Sequence, residues 1–125
     1  MIVGIGTDIV TISRMDDKLS SNGNRFAQRL LTESEYAEFE SKQNGAAYLA
    51  KRFAAKEAVV KAMGTGFADG ITWKQITVCN DEKGAPFIEL TGPAHEKAKA
   101  LGVARVHLSL SDEKEHAVAF VILES

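Results

Sequence analysis

The stretch that most restricts the fold runs from Arg52 to Gly66 and reads RFAAKEAVVKAMGTG. Eight of the eleven residues from Phe53 to Met63 are apolar. The pattern predicts a long helix from about Ala46 to Met63, ended by Gly64 and Gly66. A helix that is apolar nearly all round belongs in a core, so the other elements must wrap around this one. Lys56, Glu57 and Lys61 interrupt the pattern. At about 100° per residue, Glu57 and Lys61 share a face one turn apart. Ala50 and Ala54 lie on that face, and Phe53 flanks it. Two readings are open: an ion pair on a solvated stripe, or charges beside a cleft where small residues leave room for a ligand.

The elements on either side set the fold class. Ile2 to Val10 reads as a strand rich in β-branched residues. Ser13 with Asp16 predicts a short helix toward Ser20, broken by SSNGN. A second helix is expected over Arg25 to Leu31. Thr32 with Glu35 forms a capping-box pattern for a third, through Phe39. Beyond the long helix, ITWKQITVC and PFIELT read as strands joined by the turn-rich NDEKGA. Pro93 opens a helix that ends near Gly102. ARVHLSLS and HAVAFVILE then form a last hairpin across DEKE. This order predicts one α+β domain over residues 1–125, with helices packed on a mainly antiparallel sheet.

Composition removes several functions. The 125 residues suit a single core, and 45% are hydrophobic. A net charge of −2 gives no basic surface for nucleic acid or membrane. No apolar run is long enough to span a bilayer. The first apolar run contains Asp8 and lacks a basic flank, unlike a signal peptide. Cys79 is the only cysteine, which fits a reducing cytoplasm; its place in an apolar strand pattern predicts an inert thiol.

Asp8 is the second anomaly. It lies in an apolar strand, on the same side as Gly4 and Gly6 by alternation. A buried bare charge is costly. Asp8 is either a capping residue at the frayed strand end or a metal ligand approached across glycines. Together with Glu57 it supplies oxygen ligands for magnesium, which commonly takes one or two carboxylates and fills its other positions with water and phosphate. Arg52, Lys56 and Lys61 suit those phosphates. Gly64 and Gly66 allow close backbone approach, or simply stop the helix. Walker and zinc patterns are absent. His107 lies in the strand-like VHLSLS, where a surface role is the commoner one.

The chain resembles the holo-acyl-carrier-protein synthases, small phosphopantetheinyl transferases. The resemblance rests on GIGTDIV at 4–10, RFAAKEAVVKAMGTG at 52–66, KGAP at 83–86 and VHLSLSD at 106–112. It implies transfer of 4′-phosphopantetheine from coenzyme A to a serine of apo-acyl carrier protein, with magnesium, or manganese in its place. By matching positions, Asp8 and Glu57 would hold the metal, and Lys61 would contact the pyrophosphate or the serine. Arg52, Gly64, Pro86 and His107 would hold the 3′-phosphate ADP part of coenzyme A. Arg14, Met15, Arg25 and Phe26 would form the carrier-docking face. A homotrimer with active sites between subunits is implied too. Glu57, Asp112 and a water each remain open as the general base. The rival is a non-catalytic module that binds coenzyme A or a nucleotide, which need not keep both carboxylates.

Overall fold

The computed structural model describes all 125 residues. Strand β1 (Ile2–Thr11) leads into α1 (Ile12–Asn22), α2 (Arg25–Leu30) and α3 (Glu33–Glu40). The long helix α4 (Gly45–Met63) follows, then a 3₁₀ turn (Trp73–Gln75) and the hairpin β2 (Ile76–Asn80) and β3 (Pro86–Leu90). Helix α5 (Gly92–Ala100) and the hairpin β4 (Arg105–Asp112) and β5 (His116–Glu124) complete the chain. All strand pairs are antiparallel, in a three-stranded sheet of order β1-β5-β4 and a separate β2-β3 ribbon. The α+β class is as expected, with the sheet divided in two. No helix is long and apolar enough to cross a membrane.

Helix α4 is the centre. Asn44 caps it, its Oδ1 accepting from the Ala47 N–H at 3.0 Å. Gly64, at φ 75°, closes it, and the Thr65 and Gly66 amides return to the Val60 carbonyl. Ala54, Ala58, Val59 and Val60 are buried in one core with Ala117, Ala119, Val121 and Leu123 of β5.

Helix and sheet meet closely because of two glycines. A Cβ on Gly4 would run into the Ala62 carbonyl oxygen, and one on Gly6 into that of Ala58. These glycines therefore admit the α4 backbone, not a ligand as their position beside Asp8 suggested. Ala50 and Ala54 are likewise fully buried, so the room expected beside Glu57 is taken by packing.

Two local expectations change. Helix α1 begins at Ile12 with no side-chain cap and runs on to Asn22. Residues 71–75 do not join β2. The Lys56 ammonium holds the Trp73 carbonyl, and the Gln75 side chain donates to the Gly70 carbonyl and accepts from the Ala94 amide. These bonds turn the segment before the strand starts.

Candidate active site

Asp8 and Glu57 come together because β1 crosses α4 at the two glycines. Asp8 is one alternation step beyond Gly6 on the α4 side of β1, and Glu57 precedes Ala58 on the helix. The Lys61 ammonium, one turn along α4, donates to Asp8 Oδ1 at 2.9 Å and to the Thr7 carbonyl at 3.1 Å. The ion pair is therefore between strand and helix, not along the helix.

Glu57 is half-buried. Burial raises its pKa above the ordinary carboxylate value, and the negative charge of Asp8 raises it further. Lys61 and Arg14 pull it back only in part. Two neighbouring carboxylates that repel one another are a favourable place for a cation. No group of three or more His, Cys, Asp or Glu side chains makes a fuller ligand set. The pair fits a hard ion that keeps water and phosphate oxygens in its remaining positions, and does not fit a closed zinc site.

A second concave region lies further up α4. A cavity of about 480 Å³ is lined by Lys42, Lys51, Arg52, Asn80 and Asp112 among others. Arg52 is only 4% exposed. Its guanidinium stacks 4.4 Å from the Tyr48 ring centroid and donates to Glu38 at 3.2 Å and Asn80 at 3.1 Å. Its Nε is buried with no partner. Pro86 pairs with Asn80 across the β2-β3 ribbon. Lys51 and Asp112 approach to 3.8 Å here, so Asp112 sits with the second cavity. Gly64 and Gly66 follow Lys61 as exposed left-handed residues.

His107 lies elsewhere. It is in register with Ile122 and through it with Ile5, on the sheet face turned away from α4. There its Nε2 meets Glu124 Oε1 at 3.0 Å. Ile5, Ile9 and Phe120 on that face are 61%, 63% and 43% exposed, an apolar surface that nothing in one chain covers.

Three expected site residues are core instead. Lys56 has no exposed surface, and its ammonium donates to the Leu30 carbonyl, Glu35 Oε1 and the Trp73 carbonyl. An ammonium has three hydrogens, so none remains for a phosphate of coenzyme A. Met15 is fully buried and Phe26 is 8% exposed, so neither offers much to a docking partner. Arg14 and Arg25 are exposed as expected.

An aromatic wall stands beside the cleft, with Phe26 as its buried corner. Phe26, Phe53 and Trp73 form a triangle with ring centroids 5.9 to 6.2 Å apart, and Phe67 packs on Trp73 at 5.8 Å. Phe53 is one turn before Glu57, and the Arg14 guanidinium lies 6.0 Å from its ring centroid. The sequence contained these aromatics, but their spacing along the chain gave no sign that they meet.

The likeness to known proteins extends over the same elements. A family model described as the 4′-phosphopantetheinyl transferase superfamily matches residues 4–121. A holo-[acyl-carrier-protein] synthase of Vibrio parahaemolyticus is 53% identical, over 99% of this chain and 98% of its own. The crystal structure of holo-[acyl-carrier-protein] synthase from Neisseria meningitidis superposes with a TM-score of 0.92 at 44% identity, covering 100% of both chains. A Bacillus anthracis holo-(acyl-carrier-protein) synthase, solved in complex with CoA (3′,5′-ADP), gives 0.83 at 38% identity, over 100% of this chain and 98% of that one. A cleft of Asp8, Glu57 and Lys61, on a fold shared from end to end with these enzymes, makes this chain a member of the holo-[acyl-carrier-protein] synthase family of 4′-phosphopantetheinyl transferases.

Proposed function

We propose that this chain moves the 4′-phosphopantetheine group of coenzyme A onto a serine of an apo-acyl carrier protein and releases adenosine 3′,5′-bisphosphate. The observation that carries the reading is the meeting of Asp8, Glu57 and Lys61 across β1 and α4, in a chain whose relatives bear this enzyme's name. The serine oxygen bonds to the phosphorus of the phosphopantetheine half. The bond from that phosphorus to the bridging oxygen breaks, and the bridging oxygen leaves on the adenosine bisphosphate. The serine belongs to the partner, so this chain needs no nucleophile.

Asp8 and Glu57 would hold magnesium, which supplies positive charge to the phosphate oxygens as the bridge breaks. Lys61 adds a mobile positive charge at the same place, its side chain being half exposed. Glu57 lies in this cleft with a raised pKa and is the chain's own candidate for taking the serine proton, whereas Asp112 stands with Lys51. Arg52, with Lys42 and Lys51, offers cations for the 3′-phosphate, and Gly64 and Gly66 leave backbone open beside Lys61. The carrier approaches over Arg14 and Arg25, whose charges steer an acidic partner, while Phe53, Phe67 and Trp73 supply apolar contact.

His107 is on the opposite sheet face from Asp8. A coenzyme A held by both must therefore span two chains. The uncovered Ile5, Ile9 and Phe120 supply a surface on which chains associate, and a homotrimer is the assembly we favour. The enzyme acts in the cytoplasm, where Cys79 stays reduced.

Intact mass of an apo-carrier after incubation with the protein, coenzyme A and magnesium tests the transfer. The expected result is a gain of one phosphopantetheine, blocked by chelator. An unmodified carrier with bound coenzyme A would favour the non-catalytic module instead.

A further inference from the structure

The aromatic triangle has corners on three separate segments. Phe26 belongs to α2, Phe53 to α4 and Trp73 to the 3₁₀ turn. Ring contacts favour certain packing angles, but they do not anchor the three backbone segments to one another. A buried cation ties the same three segments together. Lys56, on α4, donates at 2.7 Å to the carbonyl of Leu30, the last residue of α2, and at 3.2 Å to the carbonyl of Trp73 itself. Its third hydrogen meets Glu35 Oε1 at 2.7 Å.

Glu35 is as fully engaged. It is 2% exposed, its Oε1 also accepts from the Thr32 amide at 2.8 Å, and its Oε2 accepts from the Val78 amide at 2.8 Å. Val78 is in β2 and Thr32 starts α3. A buried ion pair is weak evidence for stability, since desolvation offsets much of its attraction. What this pair has is direction: Lys56 fixes the Leu30 and Trp73 carbonyls relative to α4, and Glu35 ties the Thr32 and Val78 amides to Lys56.

We infer that Lys56 is a positioning residue for the carrier protein, holding the Phe26–Phe53–Trp73 wall in register with Glu57 through the Leu30 and Trp73 carbonyls. The inference rests on the transferase reading above and deepens it. Lys56 does not touch coenzyme A. Its loss misplaces the surface that receives the carrier's serine and leaves the coenzyme A subsite around Arg52 in place.

The experiment combines steady-state kinetics, with carrier and coenzyme A varied in turn, and emission of Trp73, the only tryptophan in the chain. The double variant Lys56→Met/Glu35→Gln leaves no charge buried without its partner. It is expected to raise the KM for apo-carrier about tenfold, a modest fraction of what apolar interface anchors carry. KM for coenzyme A stays within about twofold, and Trp73 emission shifts to the red and is quenched more readily. Glu35→Gln alone keeps both Lys56–carbonyl bonds, so its carrier KM stays at the wild-type value even as thermal stability falls. A folded double variant with wild-type carrier KM and unshifted emission overturns the inference. Equal rises in both KM values also overturn it, because they mark a merely structural pair. Should the double variant fail to fold, Phe26→Leu loosens the wall directly; a carrier KM unchanged by it overturns the inference as well. If the wild-type chain does not modify the carrier at all, the transferase reading is what fails, and Trp73 emission in the double variant still decides the clasp.

Discussion

The ammonium of Lys61 lies 2.9 Å from Oδ1 of Asp8, on an element 53 residues away in the chain. In the free protein this lysine neutralises a carboxylate that the transfer reaction would need for its metal. Lys61→Met is therefore expected to bind manganese about tenfold more tightly than wild type without coenzyme A, because one competing cation is gone. With coenzyme A and carrier present, the same variant turns over more slowly, having lost a charge from the phosphates. Titration of manganese by electron paramagnetic resonance checks the first half. Equal or weaker binding by the variant would contradict it.

Burial and the Asp8 charge disfavour the ionised form of Glu57 in the metal-free protein. Its pKa is raised by burial first and by Asp8 second. A raised folded-state value means that the native protein holds the proton more tightly than the unfolded chain does. The contribution to stability is present below the unfolded value of 4.5 and is lost as pH rises through the higher folded value. Glu57→Gln, which stays neutral, is expected to melt a few degrees above wild type at pH 8. The gap closes as the pH is lowered past the Glu57 titration. Melting curves at several pH values in chelator test this; a variant that melts below wild type at pH 8 would contradict it.

Arg52 has one buried nitrogen, Nε, without a partner and stands on a cavity with two lysines. A charged hydrogen bond is worth roughly 1.5–3 kcal/mol. Arg52→Ala should raise KM for coenzyme A by about tenfold or more and weaken discrimination against 3′-dephospho-coenzyme A. Equal losses for both donors would move the 3′-phosphate elsewhere.

The outer face of the three-stranded sheet gives a prediction about assembly. Ile9 and Phe120 are both exposed in one chain, so charges there should leave its fold intact. Ile9→Lys and Phe120→Glu are expected to reduce the light-scattering mass from a multiple of the chain to a single chain. Activity falls with it, because His107 and Asp8 of one chain face opposite ways. A variant that stays assembled would place the interface on another surface.

Much of this architecture is legible in the residues, for reasons that differ by element. The long helix is readable because its apolar run and Gly64 stop are local, whereas the Asn44 cap that starts it at Gly45 is seen only in the structure. Asp8 and Glu57 stood out because a carboxylate in an apolar segment needs a reason. The burial of Lys56 is not legible because its counter-charge, Glu35, lies 21 residues upstream inside what looks like an ordinary capping box. Spacing alone does not tell a buried lysine from one facing a ligand. By sequence Gly4 and Gly6 look like a path across which Asp8 is approached, whereas they are where α4 presses on β1. Gly6→Ala should accordingly cost more than the roughly 1–3 kcal/mol of ordinary overpacking, since backbone has to move. The resemblance implies Met15 and Phe26 as docking residues, but both side chains are buried, which sequence spacing does not reveal.

The Asp8–Glu57 cleft is expected to carry out phosphopantetheine transfer. The most direct measurement is the rate at which intact mass converts apo-carrier to holo-carrier, for wild type, Asp8→Asn and Glu57→Gln, at saturating coenzyme A and magnesium. Circular dichroism confirms that each variant is folded. The account predicts complete conversion by wild type and losses of several powers of ten in both variants, since each removes a ligand charge next to the phosphates. Conversion by either folded variant at close to the wild-type rate would contradict it.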